Sequence, residues 1–97
     1  MLFFKYMKDK KVPEICRFYG IVIRMFFNEH NPPHFHAQYG EYIAQVKIDN
    51  AEIIEGYLPQ RAISLIQNWV QLHRNELYEN WSNCQQNKKS FKIEPLD

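Results

Sequence analysis

Between Gly20 and Phe27 the chain reads Ile21-Val22-Ile23-Arg24-Met25-Phe26-Phe27. This β-branched and aromatic run has no helix caps and predicts a first strand. Asn28-Glu29-His30-Asn31-Pro32-Pro33 follows, and two consecutive prolines fit neither a ladder nor a helix interior, so a shaped loop is expected. The segments His34 to Tyr39, Tyr42 to Ile48 and Glu52 to Tyr57 are joined by Gly40-Glu41 and by Asp49-Asn50-Ala51. These connectors tolerate positive φ, as tight hairpins require. A four-stranded antiparallel meander is predicted.

After Gly56 the period changes. Pro59 suits a helix start, and Ala62, Leu65, Ile66, Trp69, Val70, His73, Leu77, Trp81 and Cys84 recur at spacings of three and four, the mark of an amphipathic helix. Arg61, Ser64, Gln67, Asn68, Gln71, Arg74, Asn75, Glu79 and Asn80 fall on the opposite side. One helix from about Pro59 to about Gln86 would reach roughly 40 Å, against roughly 27 Å for an eight-residue strand, so its far end should overhang the sheet. Asn87 to Ser90 is a polar break, and Phe91 to Leu96 returns as a short extended tail. The expected class is α+β, with one long C-terminal helix packed on one face of the meander.

Hairpin arithmetic assigns the faces. A two-residue loop at Gly40-Glu41 sets Tyr39 against Tyr42, Ala37 against Ala44 and Phe35 against Val46, an apolar face. On the other face His36 opposes Gln45, His34 opposes Lys47, and the row continues to Glu52. Matching parity in the first strand puts Ile21, Ile23 and Met25 on the apolar side and Arg24 beside the histidines. Arg24, His34, His36, Gln45 and Lys47 are therefore expected on a face the helix leaves bare.

The 97 residues allow one core, read as an N-terminal extension over 1–12 and a single domain over 13–97. Apolar residues at 45% against 24% charged exclude wholesale disorder, and a net charge of +1 leaves no global field to recruit nucleic acid or a membrane. The start lacks an apolar signal core, no run approaches a membrane span, and Cys16 and Cys84 form neither a disulfide framework nor a zinc ribbon. A reducing cytoplasm and two buried thiols are expected.

Candidate chemistry centres on His30-x3-His34-x-His36. Three imidazoles on a loop and its adjoining strand suit zinc or another borderline divalent ion, although Lys47 opposite His34 disfavours one. A second reading makes His34 and His36 general base and acid, with Arg24 and Lys47 stabilising a phosphate, as metal-independent RNA cleavage requires. In a third, the imidazoles only form local hydrogen bonds. His73, in the helix stripe, is expected to be a core-edge imidazole bonded to backbone. Lys5 to Lys11 is a solvated lead-in with weak phosphate binding as its alternative. Trp81, with Leu77 and Tyr78 where the helix outruns the sheet, is a candidate contact with a second chain.

Phe18-Tyr19-Gly20-Ile21-Val22-Ile23-Arg24-Met25-Phe26, His30-Asn31-Pro32-Pro33-His34-Phe35-His36-Ala37, Tyr39-Gly40-Glu41-Tyr42 and Gly56-Tyr57-Leu58-Pro59-Gln60-Arg61-Ala62 occur in that order. The set resembles a bacterial family of small proteins known as a domain of unknown function. Its likeness extends through Trp69, Leu72-His73-Arg74, Leu77, Trp81 and Ile93-Glu94-Pro95-Leu96. Arg24, His30, His34, His36 and His73 match its pattern, and the family's usual start lies near Pro13-Glu14-Ile15, which makes Met7 an alternative initiator. The resemblance implies operons similar to toxin–antitoxin modules. With the exposed histidine face and the overlong helix, the expected function is a component of such a pair that binds a protein partner, or a second copy as a dimer, with RNA as a further candidate; the alternative is a small ribonuclease or metal-binding hydrolase centred on His34 and His36.

Overall fold

The computed structural model describes residues 13–97; the extension expected at the N-terminus lies outside them. Five strands form one antiparallel sheet in the order β1 (Glu14–Phe18), β2 (Ile21–Arg24), β3 (His34–Tyr39), β4 (Tyr42–Lys47) and β5 (Ile53–Gly56). The meander thus has one strand more than expected. β1 is five residues long, carries Arg17 as its fourth residue and pairs with β2 through a two-residue turn at Tyr19-Gly20. Both turn residues have positive φ, 48° and 82°, which matches the twist of a tight hairpin but places a tyrosine where glycine or asparagine is usual.

The central register agrees with the hairpin arithmetic: His34 pairs with Lys47, Phe35 with Val46, His36 with Gln45 and Ala37 with Ala44, and Arg24 pairs with His36. Ile21, Ile23, Met25, Phe35, Ala37, Ala44, Val46 and Ile48 are all buried on the helix side. β5 closes the order as an edge strand, set against β4 through a bulge at Gln45/Val46. Its Gly56 has φ +90°, and a Cβ there would lie 2.2 Å from the Ile43 carbonyl oxygen, so no other residue fits without moving the backbone.

The helix, α1 (Gln60–Gln85), buries Ala62, Ile66, Trp69, Val70, Leu77, Trp81 and Cys84. Trp69 is its anchor, tilted against Phe18 at 5.2 Å and edge-on to Phe35 at 5.9 Å between ring centroids. The expected overhang is absent. His73 takes non-helical angles (φ −128°, ψ 22°) and kinks the helix. A straight helix of this length would measure roughly 39 Å, yet the molecule's longest extent is 31 Å. The second segment turns back onto the body, so Trp81 is 7% exposed and Cys84 fully buried. Trp81 is therefore an interior residue, not a surface contact. His73 itself is half-buried and bonds the Glu76 carboxylate at 2.5 Å rather than backbone.

Asn80, assigned to the polar side from its spacing, is fully buried. Its amide donates to the Phe91 carbonyl and its oxygen accepts from the Phe91 N–H, both at 2.9 Å. The Trp69 indole donates to the Glu94 carbonyl at 2.8 Å, and the Ile93 N–H to the Ile15 carbonyl at 2.9 Å. The tail is thereby tied both to the helix, at Trp69 and Asn80, and to β1, at Ile15.

Candidate metal centre

The loop between β2 and β3 folds over the end of the polar face. It contains a cis Asn31-Pro32 bond, and Asn28 sits at φ 55°, a conformation asparagine tolerates. Phe26 stacks on the His36 ring, nearly parallel at 4.0 Å, and Trp81 lies 5.2 Å from the His34 ring. His34 and His36 are consequently 5% and 6% exposed, which corrects the expectation of a bare histidine face. The two imidazoles meet Glu29. His34 Nε2 lies 2.9 Å from Glu29 Oε1, and His36 Nε2 bonds the same oxygen.

His34 Nδ1 is 2.8 Å from the Pro32 carbonyl. A carbonyl only accepts, so Nδ1 carries the proton and Nε2 is the nitrogen turned to the cluster. Burial pushes the Glu29 carboxyl upward, but hydrogen bonds from His34 and His36 outweigh it and hold it at about 2. Burial pushes the His34 imidazole down, and the Glu29 carboxylate and Pro32 carbonyl outweigh that and raise it. In the metal-free protein the cluster is a carboxylate shared between two imidazole donors.

The same atoms form a ligand set. One atom each from Glu29, His34 and His36 lie within 4.8 Å of one another. An ion with bonds of about 2.1 Å separates neighbouring ligands by roughly 3.0 Å at right angles and roughly 3.4 Å in a tetrahedron, so a donor pair as far apart as 4.8 Å must close by more than an ångström to share one. The Nδ1–H bond to Pro32 is the outer contact that fixes a ligating imidazole's tautomer.

His30, the third expected ligand, is exposed and outside the cluster; Glu29 takes its place. The signal was present as a carboxylate five residues before His34, but the backbone course of a proline loop decides whether Glu29 or His30 turns inward. His30 instead lines a cavity of about 250 Å³ with Glu29, Asn31, Pro32, His34, Gln45, Ile54 and Glu55. A second cavity of about 270 Å³, lined by His36, Ile43, Ala44, Gln45, Glu55 and Gly56, adjoins it through Gln45 and Glu55. Arg24 is half-buried and donates to Gln38 Oε1 at 2.9 Å. Lys47 Nζ sits 4.0 Å from the exposed Glu52 carboxylate, at the far limit of an ion pair.

Fold and site together define a small α+β domain with two buried histidines and a half-buried glutamate on the polar side of the sheet, at the end that the last turns of the helix reach. Residues 20–82, about two thirds of the chain, match the family described as a domain of unknown function, DUF4160, and the chain belongs to that family. No curated protein and no solved structure matches it. Among the described residues, no helix is long and apolar enough to cross a membrane.

Proposed function

We propose that Glu29, His34 and His36 bind a divalent ion of the zinc class, and that the domain is a small metal-dependent hydrolase working on a ligand held between the centre and β5. The convergence of the three donor atoms, with His34 held in the ligating tautomer by Pro32, carries this reading. Three protein ligands leave a position for water, which such an ion acidifies to near neutrality. The paired cavities adjoin Glu29, His34 and His36 and give a small substrate a place beside that water.

Elemental analysis of protein reconstituted with zinc and then desalted tests the binding. One ion per chain is expected for the wild type, and well under a tenth of that for Glu29→Ala, His34→Ala and His36→Ala. A wild-type protein that stays metal-free in micromolar zinc overturns the metal centre. Hydrolysis of a generic phosphodiester that continues undiminished under chelation overturns the metal's part in the reaction and returns the histidines to acid–base work.

A second reading, the partner-binding component of a toxin–antitoxin-like pair, is favoured by the exposed Tyr42, Ile54 and Tyr57 around the β5 edge, with Tyr42 and Tyr57 packed edge-on at 5.4 Å. Co-purification with the neighbouring gene product tests it. A monomer that captures no such product, or captures it equally with Ile54→Lys, counts against it.

A further inference from the structure

The loop that carries Glu29 does not hold itself in place. The Glu29 N–H donates to Gln85 Oε1 at 3.1 Å, and the Gln85 side-chain amide returns a bond to the Glu29 carbonyl at 3.0 Å. One side chain thus satisfies both main-chain polar groups of the carboxylate ligand. Beside it, Asn28 N–H reaches the Cys84 carbonyl at 3.4 Å, and the Asn28 and Asn87 side chains bond at 3.1 Å. One helical turn earlier, Trp81 lies against His34. Residues four apart share a helix face, so the same face of α1 touches two of the three ligands. The kink at His73 lies between this face and the first half of the helix.

We infer that Gln85 is a positioning residue of the metal centre, setting the Glu29 carboxylate through its backbone, so that the last turns of α1 belong to the site. The inference rests on the metal reading above. Gln85 lies beyond the stretch matched to the family, residues 20–82, and it is exposed, so nothing in its burial or in that match singles it out. Outer contacts of this kind typically change metal affinity by about 10- to 100-fold when removed. Gln86 provides the control. It is the neighbouring exposed glutamine, and its amide bonds Ser82 Oγ instead of the loop.

The test is the zinc dissociation constant, by competition with a chromophoric chelator at fixed pH, for the full-length wild type, Gln85→Ala and Gln86→Ala, together with the melting temperature of each metal-free protein. Gln85→Ala is expected to bind zinc about 10-fold more weakly or worse, Gln86→Ala to match the wild type, and the two variants to melt within about 4 °C of each other. Affinity for Gln85→Ala within twofold of Gln86→Ala overturns the positioning role and leaves the metal centre standing. A loss of affinity that appears only with a larger drop in melting temperature also overturns it, since a loosened helix end accounts for both. Failure of the wild type to bind zinc overturns both proposals.

Discussion

The two faces of the sheet are buried by different means. Under the helix, Phe35, Ala37, Ala44 and Val46 are covered by Trp69, Ile66 and Val70, and burial there needs only complementary apolar shape. On the other face His34 and His36 are covered as deeply by a nine-residue stretch of turn and loop and by Trp81. Burial there sets ring nitrogens against polar atoms, His34 Nδ1 against the Pro32 carbonyl and both Nε2 atoms against Glu29. The first face stabilises the fold; the second orients a few atoms toward one point.

The contrast can be broken most severely at Trp69. Trp69→Ala removes the largest buried side chain and its bond to Glu94, and a loss of about 3–5 kcal/mol is expected in denaturant unfolding; a loss under 1 kcal/mol would show that the apolar face does not dominate. On the other face, zinc at about 100 times its dissociation constant should add about 2.7 kcal/mol to the wild type and nothing to His36→Ala, read as the shift in melting temperature. Asn80→Ala strands the Phe91 N–H and carbonyl and should cost about 2 kcal/mol, with faster hydrogen exchange at Phe91 and Ile93.

pH sharpens the comparison further in the metal-free protein. Glu29 is depressed from an ordinary 4.5, so its contribution is full above 4.5 and fades as pH falls toward about 2. His34 is raised from an ordinary 6.5, so its contribution is full below 6.5 and fades as pH rises through the folded value. The melting-temperature gap between wild type and Glu29→Gln should be widest from pH 4.5 to 6.5; a gap that keeps growing above neutrality contradicts the assignment. The smallest effect belongs to Leu72→Ser. Its side chain is 68% exposed, and a change within about 0.5 kcal/mol is expected.

The sequence made the sheet's centre legible because period-two alternation and a glycine turn fix register with little freedom. Phe35 against Val46 and His36 against Gln45 follow from Gly40-Glu41 alone. β1 was hidden because five residues with an internal arginine carry little pattern and because its turn places Tyr19 at positive φ. The kink at His73 was hidden because the spacing of apolar positions continues across it. Asn80 was misassigned for the complementary reason, a polar residue buried to grip the tail. In the site, the histidines were visible as residue types, whereas Glu29 emerged only once the proline loop had a course in space.

The tail's bond from Ile93 to Ile15 has a consequence for assembly. It ties the tail to β1, one of the two end strands in the sheet order, and no such backbone bond ties it to β5, the other. A strand added beside Ile15 would have to displace the tail, so the two ends of the sheet are not equivalent.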